Sequence, residues 1–86
     1  MPEISRFYGI AIQIYYNDHA PPHFHASYAG QNAVIDIETL SLIQGKLQAR
    51  ALGLVIEWAS IHQAELLFAF DQASHLQKPP QIDPLQ

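Results

Sequence analysis

The stretch His23-Phe24-His25-Ala26-Ser27-Tyr28-Ala29-Gly30-Gln31-Asn32-Ala33-Val34-Ile35-Asp36-Ile37-Glu38 decides the fold. Phe24, Ala26 and Tyr28 alternate with His23, His25 and Ser27. Beyond Ala29-Gly30-Gln31, Ala33, Ile35 and Ile37 alternate with Val34, Asp36 and Glu38. Two period-two segments around a glycine turn predict an antiparallel hairpin, with Gly30 supplying any positive φ. Joining the two apolar sets on one face fixes the parity, because a one-residue slip would turn every side chain over. His23 and His25 then share the non-core face with Asp36 and Glu38. A turn centred on Gly30-Gln31 sets His25 opposite Asp36 and His23 opposite Glu38. One centred on Ala29-Gly30 sets His23 opposite Asp36.

Upstream, residues 7–16 alternate as one half-buried strand, with Tyr8, Ile10, Ile12, Ile14 and Tyr16 on one face and Tyr15 on the other. Asn17-Asp18-His19-Ala20-Pro21-Pro22 is a loop: Asn-Asp is turn chemistry, and the prolines donate no ladder hydrogen bonds. Residues 40–43 make a short fourth strand before Gly45. From 47 to 74 there is no proline and the apolar spacing becomes helical. Ala51, Leu54, Val55, Trp58, Leu66, Ala69 and Ala73 share one face at 100° per residue. Gly53 marks a place where that helix can bend. Residues 77–86 hold three prolines and little apolar content, which predicts a flexible, surface-draped tail. The expected architecture is α+β: a three- or four-stranded antiparallel meander followed by one long C-terminal helix packed on one face. Residues 1–76 form the single domain and 77–86 the tail.

Size and charge limit function. Surface scaling for 86 residues gives roughly 64% of the unfolded surface buried, enough for one modest core and too little for a full dinucleotide-binding fold or a (β/α)₈ barrel. Four Lys/Arg against eight Asp/Glu leave −4, which argues against nucleic acid and anionic membrane as partners. The absence of cysteine excludes disulfides, thiolate zinc sites and cysteine nucleophiles. The sequence shows no signal-peptide pattern and no membrane-spanning run, so the expected location is cytoplasmic.

The feature that stands out is His19-x₃-His23-x-His25 beside Asp36. Two imidazoles at i and i+2 point to one side of a strand, a third arrives from a proline-stiffened loop, and a carboxylate completes the shell. That pattern predicts a divalent metal site, zinc for example, built from His19, His23, His25 and Asp36. Tyr15 and Glu38 lie on the same face and are candidate ligand-binding residues. A His–carboxylate pair assisted by Tyr15 or Ser27 would alternatively serve acid–base chemistry, and a solvated sheet face with paired charges needs no function at all. His62 has Glu65 at i+3 and is expected at the core edge, satisfied by it. In Leu66-Leu67-Phe68-Ala69-Phe70 the two phenylalanines diverge by about 160° on one helix. Phe68 and Phe70 are therefore candidate interface residues for a homodimer or a small protein partner, unless the helix bends and its last turns fold back.

Several blocks also resemble a known family. They are residues 1–10, the Tyr15-to-His25 segment with its His19, Pro21, Pro22, His23 and His25, the Ala33-to-Glu38 strand, and the run carrying Gly45, Arg50, Glu57, Trp58, His62 and Glu65. Together they resemble the bacterial family called domain of unknown function 4160. The resemblance implies a cytoplasmic bacterial protein encoded beside another small domain, in the manner of toxin–antitoxin or regulatory gene pairs. The chain departs from the family pattern at Gln48 and Ala49 and in its apolar segment 68–70. The expected function is a small accessory or regulatory module binding a metal ion or small ligand, with the question of catalysis left open and a non-enzymatic role favoured. The alternatives are a small RNA-cleaving toxin and a pure protein-interaction module.

Overall fold

The computed structural model describes residues 2–86. Its elements run β1 (Glu3–Phe7), β2 (Ile10–Gln13), β3 (His23–Tyr28), β4 (Gln31–Asp36), β5 (Leu42–Gly45), α1 (Ala49–Ile61) and α2 (Gln63–Ser74). The five strands form one antiparallel sheet in chain order. The class is α+β as expected, but the meander has five strands and the helix is two.

The extra strand is β1, which lies ahead of the segment read as a single strand over 7–16; within that segment the strand shortens to Ile10–Gln13. Tyr8 and Gly9 both have positive φ, 50° and 79°, and form a two-residue hairpin turn. A tyrosine in that conformation is uncommon, so the turn carries no signature in the sequence. Ile10, Ile12 and Ile14 are fully buried as the alternation demands, and Tyr8 is exposed in the turn. Glu3–Phe7 becomes the edge strand, contributing Ile4 and Phe7 to the core.

The central hairpin turns on Ala29 and Gly30, at φ 49° and 80°. That choice pairs His23 with Asp36, Phe24 with Ile35, and Ala26 with Ala33. Phe24, Ala26, Ala33, Ile35 and Ile37 line the core, and Trp58 packs against Phe7 and Phe24 at ring distances of 5.3 and 5.9 Å.

α1 runs unbroken through Gly53, so the helix does not break at the place the glycine marked. The break falls at His62, at φ −115° and ψ 24°. Its backbone N–H still donates to Ala59 and Trp58, its ring meets the Glu65 carboxylate, and the Gln63 side chain donates to the Ile37 and Glu38 carbonyls beyond the end of β4. These contacts turn α2 across the strand ends. The Asn17 N–H then meets the Ala73 carbonyl at 2.9 Å. Phe70 is buried, whereas Phe68 stays 55% exposed. The expected interface pair is thus split, because folding back gives Phe70 to the core.

Residues 77–86 pack instead of hanging free. Pro79 and Ile82 are buried, the Ile82 N–H donates to the Ile4 carbonyl, and the Gln81 side chain donates to the Glu3 carbonyl. The Trp58 indole N–H donates to the Asp83 carbonyl at 2.7 Å. The tail therefore covers the β1 edge, satisfying backbone groups that an open edge would leave exposed. Replacing Ile82 with Ala is expected to cost about 2–4 kcal/mol, measured as a lowered denaturant midpoint. An unchanged midpoint would mean that the tail is dispensable.

Candidate metal centre

β3 starts at His23 because Pro22 ends the loop and the Pro22 carbonyl accepts from the Ile37 N–H, extending the β3–β4 pairing. The loop carries a cis Ala20–Pro21 bond. It brings Asp18 over the first residues of the strand. There the Asp18 Oδ2 lies 2.8 Å from His23 Nε2 and 3.6 Å from His25 Nε2. The donor atoms of Asp18, His23 and His25 all fall within 4.8 Å of one another.

The hydrogen bonds around this group are unbalanced. His23 Nδ1 lies 2.7 Å from the Pro21 carbonyl oxygen, which only accepts, so this nitrogen carries a proton. In neutral His23 the Nε2 lone pair would then face a carboxylate oxygen, acceptor against acceptor. A cation, either a proton or a metal ion, is required between them. His25 Nε2 is buried and has no hydrogen-bond partner, since 3.6 Å to Asp18 is beyond hydrogen-bonding range. Burial holds the His25 pKa below the ordinary imidazole value; the Asp18 carboxylate pulls it upward and the His23 charge reinforces burial. For Asp18, burial pushes the carboxyl up, but the His19 backbone N–H and the His23 ring outweigh it and the pKa ends below its usual value. The group therefore presents a carboxylate and an imidazole that favours its neutral form, the states that ligate metals.

Packing holds the rings in place. Tyr15 stacks on His25 at 4.0 Å with 12° between planes, and Phe70 of α2 lies 5.5 Å from the His23 ring. The Tyr15 side chain, expected on this face from strand parity, meets the site through that stack.

The expected ligands divide. His23 and His25 converge. The His19 side chain is 92% exposed, its Nδ1 3.1 Å from Asp18 Oδ1 and its ring 6.3 Å from that of His23. It sits at the rim, outside the donor group. Asp36 is paired with His23 in register, yet its Oδ1 accepts the backbone N–H groups of Glu38 and Thr39 at 2.8 and 2.9 Å. The Thr39 bond is the main reason its pKa lies below the ordinary value, with burial opposing and the Glu38 bond assisting. Asp36 builds the turn after β4, and Glu38 is exposed within it. The carboxylate of the donor group is Asp18, which reads in the sequence only as turn chemistry. Its one signal was its position next to His19 and five residues before His23.

Asp36→Asn keeps an acceptor for both backbone bonds and should leave the thermal midpoint near wild type at neutral pH, while Asp36→Ala should lower it by a few degrees. A depressed carboxylate pKa adds stability above the unfolded value and loses it as pH falls through the folded one. Wild type should therefore lose midpoint relative to Asp36→Asn as the pH falls below about 4, read by thermal melts. Identical melts for all three proteins would remove this role.

No curated protein and no solved structure matches the chain. One family model does, over residues 9–71, a span that includes the Asp18, His23 and His25 group, the hairpin, α1 and most of α2. By that match the chain belongs to the family described as Domain of unknown function (DUF4160).

Proposed function

We propose that this protein is a small metal-binding module of accessory or regulatory character, in which Asp18, His23 and His25 hold one divalent cation such as zinc. The observation that carries this reading is the pair of imidazole nitrogens directed at one carboxylate oxygen. One has its partner nitrogen committed to the Pro21 carbonyl, and the other is buried with no partner. A divalent ion would satisfy both at once, replacing the acceptor–acceptor conflict with coordinate bonds. Donors bound at ~2.0–2.2 Å around one tetrahedral ion stand about 3.3–3.6 Å apart. The His25–Asp18 separation is close to that, and the His23–Asp18 hydrogen bond would open by about half an ångström or more.

Three protein ligands leave coordination positions for water or a small ligand, the pattern of a site that exchanges ligands. The Pro21 carbonyl would act as the outer partner that orients a metal-bound His23. An ion here would tie the 17–22 loop to β3 and, through Phe70 and the Asn17–Ala73 bond, steady α2. Such coupling suits a protein whose surface answers to metal supply.

Untagged protein stripped of metal should bind Zn²⁺ with micromolar or tighter affinity, seen by calorimetry and by loss or shift of the His23 and His25 ring signals in NMR. At a hundredfold excess over Kd the fold should gain ~2.7 kcal/mol. Asp18→Asn, His23→Ala and His25→Ala should each weaken binding by at least ~10-fold. His19→Ala and Asp36→Asn should stay within about threefold of wild type. Unmoved histidine signals at micromolar Zn²⁺, Ni²⁺ and Mn²⁺ would overturn the proposal.

A further inference from the structure

At the opposite end of β3 from His23 lies a cleft of about 210 Å³ between the Tyr8–Gly9 turn, the end of β3 and the first turns of α1. The strand separating it from the metal-site group spans roughly 17 Å. Its lining combines the apolar Ile10 and Leu54, the aromatic Tyr8 and Tyr28, and the polar Gln48 and Arg50. Tyr28 lies over the turn, its ring 3.5 Å from where a Cβ on Gly9 would stand.

Two of these residues work against stability where they are. Tyr8 occupies the left-handed region at φ 50°, where asparagine or glycine is the relaxed choice, and the residue is 60% exposed. Arg50 places a cation in the first turn of α1, the end of a helix that disfavours positive charge. Among the described residues Arg50 forms no ion pair, although the chain carries eight acidic groups. Residues kept at a cost to the fold, and gathered on one concave surface, point to a ligand.

We infer that this cleft binds a small aromatic carboxylate, with the acid group on Arg50 and Gln48 and the single ring against Tyr8, Tyr28 and Leu54. The guanidinium fork matches a planar carboxylate through two parallel hydrogen bonds, with the Gln48 amide as a further donor. The apolar lining and the phenol rings suit a ring and not a bare inorganic anion. The volume falls below the ~300–1,000 Å³ of clefts for drug-sized ligands, which limits the occupant to about one ring.

Benzoate is the probe, with neutral benzamide as its isosteric control, titrated into metal-free protein and followed by backbone and side-chain NMR. Saturable shifts of Ile10, Tyr28 and Leu54 are expected with Kd at or below roughly 1 mM. Arg50→Gln, and benzamide in place of benzoate, should each weaken binding by about 10-fold through the lost charge-assisted bonds. Tyr8→Asn relaxes the turn, so it should weaken benzoate binding while keeping or raising the thermal midpoint. Three results would overturn the inference: no saturation by ~10 mM benzoate, equal binding of benzamide and benzoate, or shifts centred on His23 and His25. Unchanged affinity in both Arg50→Gln and Tyr8→Asn would do the same.

Discussion

The β3–β4 turn at Ala29 and Gly30 is the constraint on which the rest depends. Two positive-φ residues make a hairpin loop whose twist agrees with that of the sheet, and a two-residue loop leaves no freedom in register. Phe24 and Ile35, Ala26 and Ala33 are placed together on the face that Trp58 covers. The same register presents His23 and His25 on the opposite face. Sliding the pairing by one residue would turn the imidazoles toward Trp58 or the isoleucines of one strand away from it. Core formation and the placing of both strand histidines on one face therefore follow from a single geometric choice.

The carboxylates illustrate how like residues in one neighbourhood take different tasks. Asp36 lies across the ladder from His23, but the backbone after β4 turns sharply and offers two N–H groups to its side chain. A carboxylate engaged by local amides is held away from the imidazoles. Asp18 has one oxygen engaged by the His19 N–H and turns the other toward both rings. The loop, and not the facing strand, completes the group.

Much of this was legible in the chain because alternation is local. The two central strands, the burial of Ile10, Ile12 and Ile14, the buried face of the helical region and the convergence of His23 with His25 all follow from period and parity. The β1–β2 turn escaped because Tyr8 adopts a conformation its residue type disfavours. The helix break escaped because no proline or glycine marks it; contacts of His62 and Gln63 with Glu65 and the end of β4 create it. The packed tail escaped because composition reports the weakness of local structure and says nothing of an edge strand waiting to be covered.

The sequence by itself determined the class of fold, the apolar faces of the central strands and of the helical region, and the face on which the two strand histidines stand. Side-chain period and backbone stereochemistry act over a few residues, and they suffice for those. Only the tertiary structure decided which acid meets the imidazoles, that His19 remains at the rim, that Phe70 belongs to the core and Phe68 to the surface, and that Tyr8 and Arg50 share a cleft. Those outcomes depend on where a loop, a helix break and a tail lie in space, and such positions arise from contacts between segments far apart in the chain.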